Sequence, residues 1–195
     1  GVPPILRKVQ DSVKWTTFFS DSVPIGACSS WNVVDRFHLT VNHVWEKATN
    51  FKIGNVMYSK EKISFTRIGE AVLFYLPNVP QGKNLLKFVK ARTIRGVRAG
   101  FLAGNMDGVP NVVRVWEMTT FRGIETQDGI FNEHCLGYRC ASYSGLCGAP
   151  LILEDPADYR IAGIHFAGYA GYSGFATHFN KQELVEAMAK ISVPQ

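Results

Sequence analysis

Between residues 51 and 179 the chain reads as a series of short apolar pieces punctuated by glycine, proline, asparagine and aspartate. FKIGNVMY (51–58), KISFTRI (62–68), AVLFYLP (71–77), NVVRVWEMTTF (111–121), APLILE (149–154), YRIAGIHFAG (159–168) and SGFATHF (173–179) are rich in β-branched and aromatic residues. Such side chains fit a pleated, half-buried surface. Pro77-Asn78, Gly104-Asn105 and Asp107-Gly108 supply turn chemistry between them. Short strands recurring at roughly 8–12 residues predict an all-β barrel or sandwich.

Two helices frame these strands. PPILRKVQDSV (3–13) begins with prolines, which the first helical turn tolerates. Near the other end Asn180 is placed to cap, with Glu183 three residues on. Leu184, Val185, Met188 and Ile191 then form one apolar stripe, read as core packing. The stretch LPNVPQGKNLLKFVKARTIRG (76–96) holds two prolines and most of the local positive charge, and reads as the link between two β-rich halves. The expected organisation is 1–80 for the first helix and β unit, 81–98 for the link and 99–195 for the second β unit with its helix.

With 195 residues, 46% of them hydrophobic, the chain can bury one large core or two half-domains sharing one. No apolar run approaches the roughly 20 residues that span a bilayer, so no membrane partner is expected. The start, GVPPILRKVQ, has neither an initiator Met nor the apolar core of a signal peptide, so the chain is expected to be cut from something longer. A net charge of +5 permits contact with nucleic acid without requiring it. Four irregularly spaced cysteines (Cys28, Cys135, Cys140, Cys147), without a secretory signal, indicate free thiols in a reducing compartment. HCLGYRC (134–140) fits no common zinc pattern, and neither metal nor cofactor is expected.

Chemistry is most concentrated at YSGLCGAP (143–150), where Cys147 stands in Gly145-Leu146-Cys147-Gly148. Such glycines can form an ordinary tight turn. They can also let the backbone fold so that amides converge beside a nucleophilic thiol and hold the charge that builds on an attacked carbonyl oxygen. A nucleophile needs a base, and five histidines are present. His43 ends the apolar stretch of LTVNHVW, where a base is presented at a strand end. His38 reads as an ordinary strand residue, and His134 and His178 have no supporting context. Glu70, at the mouth of an apolar strand, is the candidate third group, with Asp35 as its rival. The order His43, Glu70, Cys147 is that of the double-barrel proteases.

Taken together, Gly145-Leu146-Cys147-Gly148 and Gly163-Ile164-His165-Phe166-Ala167-Gly168 resemble the signature of the picornavirus 3C proteases, cysteine enzymes on a chymotrypsin-like double β-barrel. The likeness covers essentially the whole chain. It implies an endopeptidase that processes a viral polyprotein after glutamine, at Gln-Gly type junctions, in the host cell cytoplasm, with host proteins as further substrates. His43 matches the base, followed by Val44 where alanine is frequent. Glu70 matches the acid, Cys147 the nucleophile, and the amides of Gly145, Leu146 and Cys147 the oxyanion hole. His165 matches the floor of the S1 pocket, and Ser142 stands where the family commonly has threonine. Gly168, Gly171 and Gly174 are expected to keep a strand edge open to substrate. The termini, Gly1 and Gln195, match what self-release at such junctions leaves.

Many relatives carry a KFRDI stretch associated with viral RNA. Here the aligned segment is QGKNL (81–85), so RNA contact falls to Lys83, Lys87, Lys90 and Arg92, with Arg95 and Arg98 nearby. Two rival readings stand beside the protease. One is an RNA-binding β-barrel module, and the other a cellular β-domain with a buried Cys147, which leaves the paired motifs unexplained.

Overall fold

The computed structural model describes residues 3–91, 99–126, 129, 131–155, 158–169 and 172–193. Gly1, Arg92, Arg95, Arg98, Gly171 and Gln195 lie outside them.

After the helix α1 (Pro4–Gln10), seven strands form one curled antiparallel sheet. They are β1 (Val13–Ser20), β2 (Val23–Val34), β3 (Phe37–Val41), β4 (Asn50–Ile53), β5 (Val56–Ser59), β6 (Phe65–Ile68) and β7 (Ala71–Tyr75). Their order in space is β5-β4-β1-β2-β3-β7-β6, and a four-residue helix, α2 (Asn42–Trp45), follows β3. The remaining strands are β8 (Ala99–Met106), β9 (Val109–Glu125), β10 (Phe131–Arg139), β11 (Pro150–Asp155), β12 (Asp158–Tyr169) and β13 (Ser173–His178). They close into a barrel, because β9 pairs with both β8 and β10. The helix α3 (Lys181–Ala189) ends the fold.

The all-β expectation holds, and the departures from it have local causes. FKIGNVMY is a hairpin rather than one strand. Gly54 (φ 60°) turns the chain so that Ile53 faces Val56. The first helix is shorter than expected, stopping at Gln10, because Val13 is already paired with Trp31. In α3 Asn180 and Glu183 form the expected capping box. Val185, however, is 47% exposed. Neighbouring helical residues point about 100° apart, so Leu184 and Val185 cannot both face the core. Ala187 takes the inner position instead, between buried Leu184 and Ile191.

A continuous core joins the two sheets, with Trp31, Trp45, Phe18, Phe51 and Phe74 in its first half. The segment after β7 is tied to both sheets. Leu85 N donates to Val33 O at 2.8 Å, and Lys90 N to Ile161 O at 2.8 Å. Among the described residues no helix is long and apolar enough to cross a membrane.

Candidate active site

The end of one ladder presents a histidine and a carboxylate together. On β3 and β7 Val41 lies opposite Ala71, and just beyond them Asn42 N donates to Glu70 O at 2.7 Å. His43 follows in α2, whose position is held by Trp45 packed on the rings of Phe51, Phe65 and Phe74. Before Glu70 the chain turns at Gly69 (φ 57°), where a Cβ atom would lie 2.5 Å from Thr177 Oγ1. Glu70 is 2% exposed. Arg67 Nη2 donates to Glu70 Oε1, and Arg67 Nε donates to Gly69 O at 2.6 Å. Burial raises the Glu70 carboxyl above the ordinary range, and the Arg67 guanidinium opposes that shift. Asp35, the rival acid, occupies a turn at φ 54° and pairs with Arg36.

Cys147 lies on a turn pinned between the two sheets. Ser29 N, on β2, donates to Cys147 O at 2.9 Å, while Gly148 N donates to His165 O at 2.8 Å. Gly145 (φ 99°) and Gly148 (φ 88°) hold the left-handed conformations the sequence suggested. One candidate oxyanion donor is engaged within the turn itself. The Leu146 N–H donates inside the turn to Tyr143 O at 3.2 Å, and its side chain is buried. It is therefore spent, and an oxyanion site on this turn is left with the amides of Gly145 and Cys147. Burial pushes the Cys147 thiol up to about 12, so at neutral pH it is a protonated thiol in need of a base.

His43 and Cys147 line one cleft of about 560 Å³ together with Ser142 and Gly145. Gly26, Ala27 and Val44 contribute the wall on the side of the first sheet. Beside the cleft His165 is fully buried, with Tyr138 Oη 2.6 Å from its Nδ1 and Ser142 Oγ 3.2 Å from its Nε2. Burial drives His165 down to about 3, so the ring is neutral. Gly168 and Gly174, expected to keep a strand edge open, face each other across the β12–β13 ladder. Their small size also has a packing reason. A Cβ on Gly168 would lie 2.1 Å from Ser142 Oγ, and one on Gly174 would lie 3.0 Å from His165 Cε1. The glycines make room for the histidine and its partner. β11 pairs with β12 only as far as Ile164, and Phe166 to Tyr169 line the cleft beyond it.

His38 and His178 are engaged within the fold. His38 stacks on Phe74 within the β3–β7 ladder, and the His178 ring pairs through Nδ1 with Ala162 O at 2.8 Å. Burial lowers His38 from its ordinary 6.5 to about 4. Between those values the unfolded chain binds a proton that the folded chain does not. Stability is therefore lost as pH falls from about 6.5 toward 4, by up to about tenfold in the folding equilibrium per pH unit. Replacing His38 by Phe keeps the ring and removes the titration. Thermal melts of His38→Phe at pH 7 and pH 4.5 are expected to show a smaller acid-induced fall in Tm than wild type.

The basic residues read as an RNA surface are partly engaged elsewhere. Lys83 pairs with Asp11 at 3.0 Å, and Lys87 and Lys8 both lie over the Phe88 ring. The RNA reading gains no support from this arrangement.

Several residues of the site carry no legible signal in the sequence. Tyr138 sits on β10, a strand not singled out beforehand, and reaches His165 only through the β10–β13–β12 order. Trp15, on β1, backs the nucleophile turn, since a Cβ on Gly145 would lie 2.7 Å from its ring. Arg67 was an unremarked strand residue. Only its pairing with Glu70 could have flagged it, through the i, i+3 spacing.

Cys147 on its glycine turn and His43 after β3 line one cleft where two curled antiparallel sheets meet, an arrangement that fits a chymotrypsin-like cysteine protease. Comparison with known proteins agrees. The family model for 3C cysteine protease (picornain 3C) matches residues 40–170, more than half of the chain, and the chain belongs to that family. The genome polyprotein of Human klassevirus 1 is 28% identical over 204 residues, covering 100% of this chain and 8% of that polyprotein. The polyprotein of Encephalomyocarditis virus is 27% identical over 134 residues, covering 68% of this chain and 6% of its own length. The chain thus spans less than a tenth of these relatives. Among solved structures, the HRV-C 3C protein with rupintrivir superposes with a TM-score of 0.68 at 16% identity, over 91% of this chain and 97% of that one. Tobacco etch virus protease with product gives 0.70 at 16% identity, over 98% and 84%. At these identities the structural likeness speaks for the fold.

Proposed function

We propose that this chain is a viral polyprotein-processing endopeptidase that cleaves after glutamine, preferentially at Gln-Gly type junctions, in the cytoplasm of the host cell. The observation that carries this reading is the placement of Cys147 and His43 on one cleft beside a buried, neutral His165 in contact with Ser142.

In this reading His43 takes the proton of Cys147 as the sulfur attacks the scissile carbonyl carbon, because burial keeps the thiol protonated at rest. The amides of Gly145 and Cys147 stabilise the oxyanion. The C–N bond then breaks, and the imidazolium returns the proton to the leaving amine. Water, deprotonated by His43, attacks the thioester and frees the new carboxylate and the thiol. Glu70 supports the charge on the imidazolium.

For specificity, Tyr138 donates its hydroxyl proton to His165 Nδ1, which leaves the ring proton on Nε2, beside Ser142. That proton is offered to the side-chain carbonyl of a P1 glutamine. Glutamate is disfavoured because its carboxylate would be desolvated against a neutral ring that burial keeps from protonating. Peptides carrying Gln-Gly and Glu-Gly in otherwise identical sequences test this. The glutamine peptide is expected to be cut with a kcat/KM at least about a hundredfold higher. Comparable cleavage of both, or cleavage elsewhere, overturns the S1 assignment.

A further inference from the structure

We propose that Arg67 is a positioning residue for the acid of this site: by gripping one oxygen of Glu70 it fixes the orientation of the carboxylate and leaves the other oxygen available to His43. The inference rests on the protease reading above.

The backbone around Glu70 is already held at both ends. Its N–H donates to Thr177 Oγ1 at 3.3 Å, and its carbonyl accepts from Asn42 N at 2.7 Å. What remains free is the side chain, and Arg67 alone among the described residues hydrogen-bonds it. The guanidinium is itself oriented, since Nε is bonded to Gly69 O while Nη2 reaches Oε1. Planar two-point attachment of this kind sets a direction that a lysine point charge does not. Glu70 Oε2 is buried and accepts no hydrogen bond among the described residues. Arg67 thus occupies one oxygen and leaves the other without a hydrogen-bond partner among the described residues.

The surroundings do not supply this charge balance otherwise. Around the acid, α2 brings His43 and the Glu46 that follows it, and Glu46 pushes the carboxyl toward protonation. The second sheet offers the neutral Thr177 and Asn132. Glu133, His134, His178 and Glu183 line a pocket of about 320 Å³ on the side of Arg67 away from the core, where the arginine is 53% exposed. A carboxylate 2% exposed and stripped of its arginine would take up a proton. It would then present a neutral acid to a histidine whose cationic form it is meant to support.

The test compares wild type, Arg67→Met, Arg67→Lys, Glu70→Gln and the double variant Arg67→Met/Glu70→Gln on the Gln-Gly peptide, with kcat and KM followed across pH. Arg67→Met is expected to lower kcat/KM about tenfold at neutral pH, through kcat. Arg67→Lys should recover part of the loss. In the Glu70→Gln background Arg67→Met should cost nothing more. A wild-type profile in Arg67→Met, a gain in activity, or an equal loss with and without Glu70 overturns the proposal. A second readout needs no turnover: the ¹³C carboxyl resonance of Glu70 should titrate at higher pH in Arg67→Met than in wild type. If no peptide is cleaved by wild type, the protease reading falls. The NMR titration still decides the Arg67–Glu70 coupling, and an unmoved Glu70 resonance overturns it.

Discussion

Cys147→Ala is expected to lose peptide cleavage by a factor of at least about 10⁴ while keeping the fold. The turn that carries the residue is held by its backbone, through Ser29 N to Cys147 O and Gly148 N to His165 O, not by the thiol. Removing the sulfur therefore takes away the proposed nucleophile and leaves the turn amides, the cleft and His165 in place. Stopped assays on matched amounts of folded protein, with thermal melts alongside, read both halves. A variant retaining about a hundredth of the wild-type rate, with an unchanged melt, would remove Cys147 from the chemistry. The pH dependence of the wild-type thiol adds a check. Burial pushes it up to about 12, so the thiolate absorbance near neutral pH should be absent in the resting enzyme.

Gly148→Ala is expected to be the most damaging single-methyl change near the site. Its Cβ would stand 1.9 Å from Ser29 O, a backbone atom of a central strand, and φ is 88°. Neither side can yield cheaply. The strand is fixed between β1 and β3, and the turn is fixed by the bonds to Ser29 and His165. A loss of roughly 3–5 kcal/mol is expected from backbone strain plus forced displacement. Because the displaced turn carries the oxyanion amides, kcat/KM should fall about a hundredfold or more in whatever protein still folds. Gly108→Ala is the matched control. Its φ is 90°, but nothing lies within 4 Å of the added atom, so only the conformational cost of about 1 kcal/mol applies. Equal melting curves for the two variants would show that the contact with Ser29 is not what constrains the nucleophile turn.

The strands read from the sequence were those bounded by strong turn residues, such as AVLFYLP and SGFATHF. β1, β2, β3, β8 and β10 were not singled out as strand runs; in β2 and β10 the runs contain small and polar residues (GACSS, NEHCLG) whose burial comes from neighbouring strands rather than from their own pattern. Val185 was misplaced on the core face because a linear apolar run does not tell adjacent helical positions apart, and only packing showed Ala187 inside. Cys147 and His165 stood out as candidates because glycines needed for left-handed turns and close approach leave a local signature, and His43 because it follows an apolar strand. Leu146 was read as an oxyanion donor, since nothing in G-x-C-G says which amide the turn itself consumes.

Determined by the sequence alone were the all-β class, the capped final helix, and the two glycine-flanked motifs around Cys147 and His165, because each is written in residues within a few positions of one another. Tyr138 on His165, Arg67 on Glu70, Trp15 behind Gly145 and the engagement of Lys83 by Asp11 were decided only by the tertiary structure. Three of these contacts cross between elements that the sequence keeps apart, and the Arg67 pairing acquires its meaning from the burial of Glu70. Burial is a property of the assembled sheets, and it sets which carboxylate needs a cation and which histidine stays neutral.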